Sequence, residues 1–206
     1  MNKFNKYQLF DKLNNCFKIY KAYIIVGIIA IIVGAIFGIY TICNTSIEIT
    51  IDEMTDKNLY DFLCEDITWI TFLFYSILDC LFTLAIIFVT IFSVFLIPIT
   101  LFVLIYKSYI YFLNLTILFK CLGSFGIFDT IFIILPSYLI MLIIYLIFAC
   151  FIMRKSVSFK KCGISLYDNS VNELKKLLII LICGCILVSL YEIIMLSIFC
   201  NKFIIS

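Results

Sequence analysis

Histidine is absent from this 206-residue chain. That alone removes zinc sites of the H-E-x-x-H kind and hydrolases that pair serine with histidine. Arginine occurs once, at Arg154, so fourteen of the fifteen basic residues are lysine. Charged residues make up only 14% of the chain, against about a quarter in soluble domains. No basic stripe with interleaved aromatics projects into water, so nucleic acid is not an expected partner. Proline occurs twice and tryptophan once. C-x-x-C spacing is missing although there are ten cysteines, and Cys80, Cys150, Cys183 and Cys185 lie inside apolar runs. The cysteines therefore read as small buried hydrophobes rather than as a metal or redox site, and no cofactor is expected.

What is present is apolar: 65% of the residues are hydrophobic. A soluble fold of this size could not hide so much apolar surface, so the lipid bilayer is part of the solvent. The expected fold class is all-α, a polytopic helical membrane protein in a single integral membrane domain over residues 1–206. About five transmembrane helices are expected, preceded by an N-terminal amphipathic helix in the cytoplasm.

Residues 1–21 carry Lys3, Lys6, Lys12, Lys18 and Lys21 against Asp11, with Phe4, Tyr7, Phe10, Leu13, Phe17 and Tyr20 recurring every three or four positions. That spacing suits a helix lying on a membrane surface. Residues 22–43 are free of charge and long enough to cross a ~30 Å hydrocarbon core. Residues 44–76 form an acidic loop and interfacial segment, with Glu48, Asp52, Glu53, Asp56, Asp61, Glu65 and Asp66 facing only Lys57. Trp69, Phe72 and Tyr75 at its end suit the interfacial belt.

The second span is placed at 77–106, with a kink, tilt or early turn expected near Pro98. Lys107 punctuates the chain before a short third span at 108–122, broken by Lys120. Gly123 to Gly126 with Asp129 reads as a tight turn. The fourth span, 130–153, has Pro136 in its first turns. A basic loop follows at 154–176, and the fifth span is 177–200. With the N-terminus in the cytoplasm, the inner segments hold twelve basic residues, Lys107 among them, and the outer ones hold Lys57, Lys120 and Lys202. This positive-inside bias puts the acidic loop and the C-terminus outside the cell membrane.

Charges inside spans are expensive and usually have a partner or a use. Glu192 lies sixteen residues beyond Lys176, ~24 Å if helical. Lys120 lies thirteen beyond Lys107, ~20 Å. The expectation is a Lys120–Glu192 ion pair with Asp79 nearby. Gly34 and Gly38 make a G-x-x-x-G that lets another helix approach closely. Asp79 and Glu192 lack the G-x-G-D pattern of an intramembrane aspartyl protease, so no catalytic residue is expected.

The order of these features resembles the stage II sporulation protein M family, integral membrane proteins of endospore-forming bacteria. The resemblance rests on "VGAIFG" in the first span, "LYDFL" in the acidic segment and "LIPITLFVLIYKS" around Pro98 and Lys107. It continues through Gly123, "ILPSYLIMLIIYLI" around Pro136, and "SLYEIIM" in the last span. Glu192 matches the family's last-helix acidic residue, and Asp79-Cys80 stands where the family places a polar pair. Where the family has glycine after the lysine, this chain has Ser108. The resemblance implies a non-enzymatic scaffold that assembles peptidoglycan-degrading partners, stage II sporulation proteins D and P, at the septal membrane during engulfment. Two other readings stay open: a small permease subunit or carrier of an ABC-type or ion-coupled transporter, and a membrane immunity protein.

Overall fold

The computed structural model describes the backbone of residues 3–44, 69–129, 134–162 and 167–203. It describes side chains within 20–44, 70–117 (Phe72 aside), 134–157 and 173–195. Among these residues the chain is five long helices: α1 Lys3–Asn44, α2 Trp69–Val89, α3 Ile97–Asp129, α4 Leu135–Cys162 and α5 Tyr167–Phe203. Two 3₁₀ turns, Thr90–Phe92 and Val94–Leu96, join α2 to α3. Five stretches are long and apolar enough to cross a membrane, the second and third taking in the 3₁₀ turns: Tyr20–Asn44, Leu73–Phe92, Val94–Ile117, Leu135–Val157 and Glu173–Met195. The chain is an all-α polytopic membrane protein.

The helices follow from the solvent. In hydrocarbon every backbone N–H and C=O must be satisfied within the segment, which leaves the helix as the spanning structure for runs of Ile, Leu and Phe. Large side chains turned outward are the mark of lipid contact: Phe82 is 68% exposed, Phe102 67% and Leu187 67%. Lipid tails are as apolar as leucine, so burying such residues would gain little; close packing and polar contacts hold the helices together.

Several boundaries differ from the sequence expectation. The N-terminal segment and the first span are one continuous helix, α1, rather than a surface helix followed by a span. α2 already begins at Trp69, inside the segment read as loop. The turn between the second and third spans falls at Thr90–Leu96, which is the early turn among the outcomes expected near Pro98, and not at Lys107. Ser93 is extended there (φ −150°, ψ 133°) and its hydroxyl accepts from the Phe95 N–H. Pro98 is the second residue of α3, where a missing N–H deprives no carbonyl of its partner, so it starts a helix instead of kinking one. Pro136 plays the same part at the second residue of α4. α3 runs on through Gly123 to Asp129, where a tight turn was expected. The acidic residues 45–68 lie outside the described residues.

α4 is the axis of the bundle. Of its spanning stretch 56% is buried, against 22–33% for the other four. α1, α2, α3 and α5 all pack against it, and both 3₁₀ turns touch it. Tyr145, Phe148 and Ala149 of α4 have no exposed surface. α1 packs chiefly on α3, and Gly34 and Gly38 are the reason. A Cβ added at Gly34 would sit in sub-contact range of the Ile105 carbonyl oxygen, and one at Gly38 would lie 2.5 Å from the Tyr109 carbonyl oxygen. The two glycines thus bring the backbones of α1 and α3 together within the chain. Ser108 seals this contact by donating to the Ile31 carbonyl at 2.7 Å. Glycine at 108 would lack that bond.

A buried polar cluster between four helices

Asp79 lies two turns into the spanning part of α2, among Ile77, Leu78 and Leu81. Its carboxylate accepts two bonds from the Lys107 ammonium of α3, at 2.5 and 2.6 Å. Lys107 is itself buried, 8% exposed. It is therefore not a loop residue counted on the cytoplasmic side; it is the intramembrane partner of Asp79. Removing it from the inner tally leaves eleven basic residues against three, so the asymmetry stands.

One turn after Lys107, Tyr111 stacks on Tyr138 of α4 with ring centroids 4.4 Å apart and planes 10° from parallel. Tyr145, two turns further along α4, turns its hydroxyl toward Tyr111 and Thr83 and feels both carboxylates, Asp79 and Glu192. Its oxygen is fully buried and closes no hydrogen bond of standard geometry. Thr83 is occupied with its own helix, donating to the Asp79 carbonyl at 2.7 Å.

The α2–α5 face adds two further links. The Ser76 and Ser189 hydroxyls are 2.9 Å apart. One turn deeper, Cys80 and Cys185 are joined by a disulfide across 105 residues of chain. These two cysteines therefore cross-link helices and are not merely small hydrophobes, whereas Cys150 is a buried free thiol. Glu192, 6% exposed, follows Ser189 by three residues on the same face.

The sequence-derived candidates are thus divided. Asp79 and Lys107 pair, and Glu192 lies on the α5 face that meets α2, three residues beyond Ser189. Lys120 is not level with the Asp79–Lys107 pair: it lies thirteen residues, ~20 Å, beyond Lys107 on α3. Its side chain lies outside the described residues, and so does the expected Lys120–Glu192 contact. Gly34 and Gly38 serve α1–α3 packing, and Pro98 and Pro136 begin helices. The sequence reading missed Tyr111, Tyr138, Tyr145, Ser76, Ser189 and the cysteine pair. One signal was available: Tyr138 and Tyr145 stand seven residues apart within a span. Tyrosine away from the interfacial belt keeps a polar hydroxyl that seeks company.

Chemically, the cluster neutralises charge and ties helices. Among the described residues no group of three or more His, Cys, Asp or Glu is placed to hold a metal ion. No family model, no curated protein and no solved structure matches the chain.

Proposed function

We propose that this chain is a non-enzymatic membrane scaffold of the stage II sporulation protein M kind. It sits in the cell membrane with its N-terminus in the cytoplasm and its C-terminus outside. There it assembles the peptidoglycan-degrading stage II sporulation proteins D and P at the septum during engulfment. One observation carries this reading: polar side chains of neighbouring helices link α2 to its neighbours inside the bundle. Asp79–Lys107, Ser76–Ser189 and Cys80–Cys185 fasten α2 to α3 and α5 around the axial α4. A bundle fastened in this way suits holding partners in place better than the rocking of halves that a carrier needs. The family resemblance supplies the partners, and the lysine asymmetry supports the orientation.

The test has two parts. Deletion in the source organism, with imaging of the septal membrane, is expected to arrest engulfment. Affinity purification of the tagged chain is expected to bring down the two wall-degrading proteins. Normal engulfment together with no co-purification would end the proposal.

A second reading, an ion-coupled permease component, draws on two buried polar groups, the Glu192 carboxyl and the Tyr145 hydroxyl. Intramembrane carboxylates serve such paths. It requires proton or cation flux in vesicles containing the purified chain, lost on Glu192→Gln.

A further inference from the structure

α4 is the axis of the bundle, yet one strip of it is open to the bilayer. Ile140, Ile143 and Ile147 lie along one line of the helix at spacings of three and four residues. They are 44%, 52% and 48% exposed, although their helix is the most buried of the five. The flanks of the strip are identified by contacts. On one side Leu146 packs where Gly27 of α1 leaves room. On the other Ile144 packs against Gly184 of α5. The strip is therefore the floor of a seam between α1 and α5, two helices that barely meet.

The same line runs on through Phe151 to Arg154, the chain's one arginine. Arg154 leans to the α1 wall, its guanidinium 4.5 Å above the Tyr20 ring. Lys155 leans the other way, donating to Glu173 of α5 at 3.0 Å. Lys21 next to Tyr20 on α1, and Lys175 and Lys176 beyond Glu173 on α5, are exposed. Contacts thus place Arg154 and Lys155 at the mouth of the seam beside Glu173, with Lys21 one residue beyond Tyr20 on α1. From Arg154 to Ile143 is eleven residues, ~16 Å of helix. That is close to half of a ~30 Å core, the depth of one leaflet.

We infer that this seam is a binding site for one anionic phospholipid, its phosphate on Arg154 with Lys21 and Lys155, its acyl chains along Ile147, Ile143 and Ile140. Three features select that occupant. The groove is apolar for one leaflet's depth and turns cationic where a headgroup begins. The guanidinium lies over the Tyr20 ring, and the planar shape of a guanidinium fits phosphate oxygens. Basic sites between helices at a membrane surface take anionic headgroups. A protein helix laid in the seam would need carboxylates of its own at the Arg154 level; a phospholipid brings the charge and the tails in one molecule.

The test uses the full chain in nanodiscs of phosphatidylcholine with a minority of phosphatidylglycerol, released into native mass spectrometry. Wild type is expected to keep one phosphatidylglycerol after phosphatidylcholine has been stripped. Arg154→Gln is expected to hold it about fivefold more weakly, from the loss of one basic contact. Ile143→Trp, which fills the floor and leaves every charge in place, is expected to lose it as well. Phe82→Trp, on a helix that does not border the seam, is expected to keep it. Helix content of each variant, read by circular dichroism, verifies that the bundle has formed. Three outcomes overturn the proposal: equal retention of both lipids by wild type; retention unchanged in both Arg154→Gln and Ile143→Trp; or a dimer that Ile143→Trp abolishes, which would make a second copy the occupant.

Discussion

The ammonium of Lys107 on α3 binds both carboxylate oxygens of Asp79 on α2, across 28 residues of chain and a complete helix reversal. Breaking a buried pair from one side strands the other charge at a cost of about 3–5 kcal/mol. Asp79 lies inside a span, where its exposed half meets lipid rather than screening water, so Lys107→Met is expected to destabilise by about 3 kcal/mol. Adding Asp79→Leu removes the stranded charge and is expected to restore most of that loss. Thermal unfolding in detergent micelles, followed by circular dichroism, measures both. A double variant no better than the single one would show that the pair is not the source of the effect.

The Lys155–Glu173 pair supplies the contrast. Glu173 is two-thirds exposed, and pairs of that kind contribute less than about 1 kcal/mol. Glu173→Gln is accordingly expected to shift unfolding little in the same assay.

The glycines of α1 are expected to divide by what they face. Gly34→Ala and Gly38→Ala would drive a methyl group into carbonyl oxygens of α3, atoms that move only if the whole helix moves. Each is expected to cost about 1–3 kcal/mol. Gly27→Ala meets only the tip of the Leu146 side chain, which can rotate away. It is expected to stay within about 1 kcal/mol of wild type. Equal losses at Gly27 and Gly34 would contradict the close α1–α3 approach.

Cys80 and Cys185 are expected to resist maleimide labelling in the denatured, unreduced chain and to label after reduction. Cys185→Ala is expected to free Cys80 for labelling and to lower stability by about 2–4 kcal/mol. Peptide mapping of the unreduced protein would show the cross-linked pair directly.

Tyr145 has a fully buried hydroxyl that closes no hydrogen bond of standard geometry. An unsatisfied buried polar group destabilises. Tyr145→Phe is therefore expected to leave stability unchanged or to raise it by up to about 1 kcal/mol. A clear loss of stability would mean that the hydroxyl carries an interaction on which the bundle depends.

Glu192 shows how far a single sequence reaches. Its presence in an apolar run was enough to say that it needs company, because a carboxylate in hydrocarbon is expensive wherever it is. Depth along a helix was also legible, since rise per residue is constant. Rotation was not. The level reading paired Glu192 with Lys120 and put Lys107 in a loop, because a charge-free run of 27 residues ending at a lysine looks like one long span. The reversal at Ser93 cuts that run into two helices and carries Lys107 back up beside Asp79. Pro98 is the one local signal of an early turn, and it leaves kink, tilt and turn open; Thr90, Ser93 and Thr100 are weak turn formers, and the Thr90–Thr100 bond at 2.7 Å exists only once the helices have folded back.

Composition by itself determined that this is a membrane protein of spanning helices. Long uncharged runs in hydrocarbon have only one way to satisfy their backbones. The lysine distribution further set the orientation to be tested. The tertiary structure alone decided which charges meet, which cysteines join, and that α4 stands at the centre with one strip facing lipid. Those outcomes depend on how each helix is turned about its own axis. In an apolar solvent, hydrophobicity exerts no torque on that choice; close glycine contacts and a few polar bonds make it instead.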